Sequence, residues 1–302
     1  MNYSGETSNL PTLKGGANLS DINLLSKLAI AFTFVSIWAL ESIFPAVQGR
    51  SHRLRHAMRN LTLTGGNLLV SALLSAFLLV GVANWAESSN FGLLRLIALP
   101  PLVTALLSIV LLDAWMYLWH RANHEVALLW CFHRVHHSDT EMDVTSATRF
   151  HTSEIIISGI LRALVIAILG VSLQNVLLYD ALMLPVIFLH HSNINLPEAI
   201  DRILRTVVTT PAIHRVHHSR LLSETNSNYG TIFSFWDRLA HTFRLRSDGT
   251  RVEFGVQGFE GEEWQSLRGL LLTPFSVDEY FTPVYQKVVR EDAKQLGHRP
   301  LA

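Results

Sequence analysis

Long apolar runs are the feature that most constrains how this chain can fold. They occupy residues 28–44, 68–82, 93–119 and 155–189, and the last run is long enough for two crossings with a turn at 170–175. A helix that spans a bilayer needs about 20 mainly apolar residues. Only 16% of the residues are charged, below the roughly 25% of average soluble domains. The sequence predicts an all-α, multi-pass transmembrane bundle with four or five apolar segments. A large soluble helical core, or a re-entrant hairpin at 155–189, is the alternative.

Charge placement predicts the orientation of this bundle. The segment 49–60 carries Arg50, Arg53, Arg55 and Arg59, and is read as a basic loop. The segment 82–92 has one charged residue and 170–175 has none. Because loops rich in Lys and Arg stay in the cytoplasm, we expect 49–60 on the cytoplasmic side. Alternating crossings then put every histidine cluster on that side, on a helical cytoplasmic cap that continues beyond residue 193.

Fifteen histidines are present, and most of them fall into four groups with fixed spacing. The groups are an HxxxH box (His120, His124), an HxxHH box (His133, His136, His137), the pair His190–His191, and a second HxxHH box (His214, His217, His218). Residues three and four apart lie on one face of a helix, so these imidazoles can converge on one ion or on two. A solvated basic face would favour Lys and Arg, and a pH-sensing cluster needs no fixed spacing. Metal binding is therefore the favoured interpretation.

The ligand type narrows the choice of metal. Imidazole suits zinc, copper, iron and nickel. Zinc hydrolases usually carry HExxH on a helix, but Arg121 stands where that glutamate would be. The single cysteine, Cys131, excludes a cysteine-based zinc site. Eight or nine clustered histidines are too many for one ion, so two ions fit the count.

The order of these boxes resembles the fatty acid hydroxylase/sterol desaturase family of membrane di-iron enzymes. Further residues match the family's motifs: Asp113, Tyr117, Arg149-Phe150-His151, Glu154, Thr210-Pro211, Asn228-Tyr229-Gly230 and Trp236-Asp237-Arg238. Thr152 departs from the pattern, since a proline is common there. The resemblance covers about residues 65–245. We therefore expect an N-terminal segment (1–64) with the first transmembrane helix and the basic loop, a domain similar to this family (65–245), and a C-terminal cytoplasmic extension (246–302).

The resemblance implies which histidines hold the metal. The implied ligands are His120, His124, His133, His136, His137, His191, His214, His217 and His218. His190 could replace His191, and His151 is either a ligand or a supporting group. We expect His52 and His56, in the basic loop, to bind nothing, and His241 and His298 to lie at the surface.

Carboxylate and amide side chains are expected to support these ligands. A ligating imidazole usually donates its second N–H to a carboxylate or carbonyl. Asp113 lies two helical turns before His120 inside an apolar run, where an ionisable group is costly and marks a functional position. We predict that Asp113 supports a metal ligand, against a role in helix packing. Asn228, Asp237 and Glu154 are further candidates.

The implied reaction is the oxidation of a lipid C–H bond by dioxygen at two iron ions, which gives an alcohol or an alkene. The substrate, whether a fatty acyl chain, a sterol, a carotenoid or an ether lipid, would enter from the bilayer. An external electron donor similar to cytochrome b5 or a ferredoxin would dock on the cytoplasmic face, with Arg215, Arg220 and residues 50–59 as basic contacts. Net charge is zero, so no nucleic-acid partner is expected. A membrane zinc hydrolase and a metal transporter or sensor are the rival interpretations.

Overall fold

A computed structural model describes residues 19–48, 50, 52–246 and 252–276, and these residues form helices and three isolated β-bridges but no strand. The predicted all-α class is therefore confirmed. The longer helices are α1 (Leu19–Ile43), α2 (Arg53–Leu74), α3 (Val80–Ser88), α4 (Pro101–Glu125), α5 (Ala127–His137), α6 (Thr152–Leu169) and α7 (Leu173–His191). The shorter ones are α8 (Glu198–Leu204), α9 (Pro211–His217), α10 (Leu222–Thr225), α11 (Phe235–Leu239) and α12 (Leu267–Leu272).

Four helical stretches are long and apolar enough to cross a bilayer: Arg53–Arg95, α4, α6 and α7. A π-helical turn (Ser75–Leu79) joins α2 to α3 within the first of them. Large apolar side chains on these stretches face outward, and Phe77 and Leu102 are 80% and 71% exposed. Such exposure would be costly in water but is favourable in lipid. The fold is that of a membrane protein.

Two boundaries differ from the sequence-based expectation. The predicted basic loop at 49–60 ends early, because α2 already begins at Arg53. The charge of Arg53 is accommodated by an ion pair with Glu41, with 2.9 Å between Nη2 and Oε2. The other difference is at α4, which begins at Pro101 and continues to Glu125. The first histidine box therefore lies in the last two turns of a spanning helix, at the end of the third apolar run (93–119) as the sequence predicts.

At the end of the bundle opposite the histidine boxes, the backbones of two glycines pack closely against each other. Gly170 ends α6 in the left-handed conformation (φ +71°), at the predicted 170–175 turn, and Gly92 has φ +118°. A Cβ atom on Gly92 would lie 2.3 Å from the Cα of Gly170. Only glycine allows both this close approach and these dihedral angles.

His56 corrects the expectation that it binds nothing. It lies on the inner face of α2, is 7% exposed, and has its Nε2 2.7 Å from Asp139 and its Nδ1 3.2 Å from Asp143. Asn60, one turn later, donates to Asp139 as well. Several arginines in the same segment made it read as a solvated loop, whereas the helix directs His56 and Asn60 inward. These contacts fasten α2 to the chain that follows the second box.

The segment 252–276 packs beneath α5. Phe259 and Val256 bury Trp130, and Gln265 donates to the carbonyl of Ser138 at 2.8 Å. Arg149 joins the same region, because its guanidinium donates to both Ser138 and Gln265 at 2.9 Å. The second histidine box is thus held from two sides.

Candidate metal centre

The nine histidines predicted to bind metal come together in two buried clusters. Cluster 1 consists of His120, His124, His133, His137 and His217. Cluster 2 consists of His136, His191, His214 and His218. Within each cluster, one nitrogen from every imidazole lies within 4.8 Å of the others. The clusters adjoin, and the rings of His137 and His218 stack across them with centroids 4.4 Å apart.

Each HxxHH box contributes to both clusters. In the box on α5, His133 and His137 belong to cluster 1, while His136 belongs to cluster 2. In the box at α9, His214 and His218 belong to cluster 2, while His217 belongs to cluster 1. Residues i and i+4 lie almost one above the other on a helix, whereas i+3 points to the other side of that line. Each of the two facing helices therefore contributes its i+3 histidine to the cluster that contains the other two histidines of the opposite box.

Hydrogen bonds orient four imidazoles of cluster 1. The Nδ1 atom of His120 donates to the carbonyl of Tyr229 (2.9 Å), and that of His217 to the carbonyl of Ser227 (2.7 Å). The Nδ1 atoms of His124 and His133 point to Asn226 Oδ1 (3.3 Å) and Glu154 Oε1 (2.8 Å). Because the carbonyl and carboxylate oxygens can only accept, Nδ1 carries the proton and Nε2 has a free lone pair.

The free nitrogens of cluster 1 are buried. The Nε2 atoms of His124, His133 and His217, and both nitrogens of His137, have no hydrogen-bond partner among the described residues. Buried polar atoms are almost always paired, so this many unpaired lone pairs in one place indicates a missing partner.

Cluster 2 shows the same arrangement. The Nδ1 of His191 donates to the carbonyl of Ile187 at 2.9 Å, which leaves its Nε2 as a lone pair. That Nε2 lies 3.1 Å from the Nε2 of His136 and 3.1 Å from the Nε2 of His214. Imidazole–metal bonds of about 2.1 Å at right angles would separate two nitrogens by about 3.0 Å. The three nitrogens are spaced as ligands of one cation would be.

Burial favours the neutral form of several of these imidazoles. It lowers the pKa of His217 to about 3, and it lowers the pKa of His136, His137 and His218 well below the usual range, with neighbouring imidazoles adding to the effect. A neutral imidazole is the form that binds metal. Orientation, free lone pairs and protonation state all fit two cations held by imidazole.

The predicted supporting residues act mainly through the backbone. The carboxylate of Asp237 accepts from the N–H groups of Tyr229 (2.7 Å) and Gly230 (2.8 Å), next to the carbonyl that orients His120. Asn228 adopts φ +54°, and its amide donates to the carbonyl of Ile213 at 2.9 Å, which ties this turn to α9. The segment 226–229 therefore orients three imidazoles. The sequence motif at 228–230 marked its position, but backbone carbonyl partners leave no signature in residue types.

Asp113 differs from the prediction that it supports a metal ligand, and its contacts match the alternative role in helix packing. Its carboxylate accepts from the backbone N–H groups of Ile232 (3.0 Å) and Phe233 (3.1 Å), the indole of Trp236 (2.9 Å) and the hydroxyl of Tyr179 (3.0 Å). No histidine is among these donors. Its role is to fasten the 232–236 segment to α4 and α7, which supports the site only indirectly.

The remaining predicted residues lie outside the two clusters. The Nδ1 of His151 accepts from the N–H of Ser153 at 3.1 Å and caps α6. His190 is buried, with its ring centroid 3.9 Å from that of His214. His52 and His241 are exposed, and His298 lies outside the described residues. Arg215, expected to receive an electron donor, is 4% exposed and donates to the carbonyl of Ile194 at 2.9 Å, so it is not available at the surface.

A cavity of about 190 Å³ opens beside both clusters, between α4, α6 and α7. Met116, Trp119, Phe150, Ile155 and Ile187 form its apolar walls. Histidines from both clusters also line it, among them His120, His136 and His214. Any molecule in the cavity is therefore next to the candidate metal centre.

A membrane bundle with two adjoining all-histidine clusters and an apolar cavity defines the class of membrane histidine-box metalloenzymes. Residues 105–242 match the family model described as fatty acid hydroxylase. This segment is a fatty acid hydroxylase domain, and the family predicted from the boxes is confirmed.

Relatives agree with this assignment. The chain is 28% identical over 248 residues to an ornithine lipid hydroxylase of Rhizobium tropici, which covers 79% of this chain and 73% of that protein. It is 30% identical to human alkylglycerol monooxygenase over 48% of this chain and 31% of that protein. It is 24% identical to human cholesterol 25-hydroxylase over 47% of this chain and 52% of that protein. The chain thus spans about a third of the alkylglycerol monooxygenase and half of the cholesterol hydroxylase. No solved structure matches the chain. The predicted class of enzyme, a membrane oxidoreductase of the lipid hydroxylase type, is confirmed.

Proposed function

We propose that this protein is a membrane-bound monooxygenase that uses dioxygen and two iron ions to hydroxylate a C–H bond of a membrane lipid. The observation that carries this proposal is the pair of adjoining all-histidine clusters on one wall of an apolar cavity. The relatives are named hydroxylases and monooxygenases, which favours hydroxylation over desaturation. Two of them are named for amphiphilic lipids, an ornithine lipid and an alkylglycerol, so a polar lipid is the preferred substrate class.

The bound irons would supply the redox change that lets dioxygen oxidise an unactivated C–H bond, which zinc cannot do. The balanced reaction takes one lipid C–H, one dioxygen, two electrons and two protons, and gives one alcohol and one water. The segment 226–229 and Glu154 hold four of the five imidazoles of cluster 1 so that Nε2 faces inward. Such partners typically change metal affinity about 10- to 100-fold. Met116, Ile155 and Ile187 bind the apolar part of the substrate and exclude water from it.

The electrons come from a separate redox protein that docks on the cytoplasmic side. Arg50 donates to the carbonyl of Glu141 at 2.9 Å, and Arg59 pairs with Glu262 at 2.5 Å. The basic segment therefore lies at the same end of the bundle as the boxes, which supports a cytoplasmic location for both under the positive-inside rule. Two of the expected basic contacts are accessible to a donor: Arg55 is exposed, and the side chain of Arg220 is 41% exposed although it pairs with Glu260 at 2.7 Å. Arg220 also stands beside a small pocket that reaches His137 and Trp130.

Metal analysis of detergent-purified protein from iron-replete cells tests the proposal. We expect about two irons per chain and a coupled pair in the Mössbauer spectrum, with loss of coupling in His136→Ala and His217→Ala. His241→Ala, at an exposed position outside both clusters, is the control. Incubation with lipids, a reductant and ¹⁸O₂ should introduce one labelled oxygen into a lipid. Zinc alone would instead support the hydrolase, and metal uptake into vesicles without oxygen consumption would support the transporter.

A further inference from the structure

The cavity beside the metal centre has a polar corner that metal binding does not explain. Glu154 is 5% exposed, and only its Oε1 is engaged, at 2.8 Å from the Nδ1 of His133. Its Oε2 is buried and has no hydrogen-bond partner among the described residues. The residue lines the cavity. A buried carboxylate oxygen without a partner is costly unless a ligand provides one.

Two more unpaired polar atoms line the same cavity. Asn123, which is 2% exposed, has its Oδ1 buried and unpaired within the described part of the chain. The Nδ1 of His190 is in the same situation. The two oxygens of Glu154 and Asn123 can only accept, so the group that pairs with them must be a hydrogen-bond donor. An ester or ether oxygen placed here would add another acceptor.

The size of the cavity limits what can occupy it. A dry cavity of about 150 Å³ binds benzene, so 190 Å³ holds a group of roughly six to eight non-hydrogen atoms. Only part of a lipid fits, with methylene groups against Met116 and Ile187 and the donor group at Glu154. His133 and His136 line the same space, so the donor group lies close to the centre where the C–H bond is oxidised.

We infer that Glu154 and Asn123 form a subsite that accepts a hydrogen bond from an O–H or N–H group of the lipid, near the carbon that is oxidised. The inference rests on the proposed function and deepens it. The subsite would select lipids with a hydroxyl, amine or amide N–H near the reacting carbon over lipids whose only polar atoms are acceptors. Glu154 is then a specificity-determining residue, in addition to orienting His133.

Binding of two matched lipids tests the inference without turnover. The probes are 1-O-hexadecylglycerol and its 2,3-di-O-methyl derivative, which share chain and ether but differ in O–H groups. Binding to the purified, metal-containing protein is followed by tryptophan fluorescence, to which Trp119 in the cavity wall contributes. We expect the hydroxyl-bearing lipid to bind about tenfold more tightly, as for a hydrogen bond to a charged group. Equal affinities would overturn the inference.

Glu154→Gln separates substrate recognition from support of the metal. The amide oxygen can still accept from His133, whereas an NH₂ group replaces the acceptor in the cavity. We expect unchanged iron content and loss or reversal of the lipid preference. Glu125→Gln, a matched change at a half-exposed carboxylate paired with Arg121, should keep the preference.

The outcomes of these variants are distinct. A retained preference in Glu154→Gln would overturn the inference. A loss of iron in that variant would report its support of His133, and Asn123→Ala would then decide between the outcomes. If Glu154→Gln does not fold, Asn123→Ala, which also removes a cavity acceptor, should reduce the preference at full iron content. Absence of iron or of hydroxylation in the wild-type protein would refute the proposed function and leave the binding preference intact.

Discussion

His136→Ala and His217→Ala should remove ligands from different metal ions, because each HxxHH box places its i+3 histidine in the cluster opposite to its other two. His136→Ala leaves three histidines in cluster 2, whereas His217→Ala leaves four in cluster 1. The two variants therefore differ in severity as well as in the ion they affect.

The magnitude follows from the number of ligands. Four-ligand structural zinc sites have apparent binding free energies of about 10–16 kcal/mol, which is about 3 kcal/mol per ligand. Loss of one ligand then weakens binding about 100-fold. We expect His136→Ala to be isolated with about one iron per chain. His217→Ala should also be isolated without the coupled pair, but its four remaining cluster 1 histidines should let it regain the second iron at about 100-fold higher free iron.

Anaerobic titration of metal-free protein with Fe²⁺ against a competing chelator measures both affinities. The double variant His136→Ala/His214→Ala, with both changes in cluster 2, should keep the cluster 1 ion. The double variant His136→Ala/His137→Ala, at adjacent positions but in different clusters, should weaken both ions. If a whole box instead behaved as one unit, so that His133→Ala and His136→Ala affected the same ion, the assignment of the clusters would be refuted.

Three further predictions concern the stability of the folded protein. Asp113→Ala leaves four donors unpaired, two of them in buried and two in partly buried hydrogen bonds, and should lower the free energy of unfolding by about 3 kcal/mol, measured in detergent, with a smaller loss in Asp113→Asn. The pKa of His217 is lowered from 6.5 to about 3, so the unfolded chain takes up a proton below pH 6.5 that the folded, metal-free protein does not. The contribution of His217 to the free energy of unfolding is therefore intact above pH 6.5 and should fall by about 2 kcal/mol by pH 5. Unfolding curves of the metal-free protein that do not change between pH 6.5 and pH 5 would contradict this. Gly92→Ala should cost at least about 2 kcal/mol, because its Cβ meets Gly170 and φ is positive, whereas Gly81→Ala, with nothing within 4 Å, should be neutral or stabilising in thermal unfolding.

The buried polar residues show where sequence reasoning reached its limit. Asp113 was recognised as unusual because a carboxylate inside an apolar run needs partners. Its partners are more than 60 residues away along the chain, at Tyr179 and in the 232–236 segment, and residue types alone do not identify them. His56 was misjudged for the opposite reason. The neighbouring arginines made the segment resemble an exposed loop, whereas His56 lies on the inward face of α2 and forms hydrogen bonds with Asp139 and Asp143.

The sequence by itself determined the membrane bundle and the histidine boxes, and the family resemblance of those boxes supplied the nine predicted ligands. Apolar runs of spanning length can only form helices in lipid, because every backbone hydrogen bond must be made within the segment. Histidines three and four residues apart must share a helical face, whatever the rest of the fold does. Which histidine joins which cluster was decided only by tertiary structure, because it depends on how α5, α7 and α9 pack against one another. The same holds for the carbonyl groups that orient the imidazoles, since every residue carries an identical carbonyl and only the fold brings those of Ser227 and Tyr229 to the site.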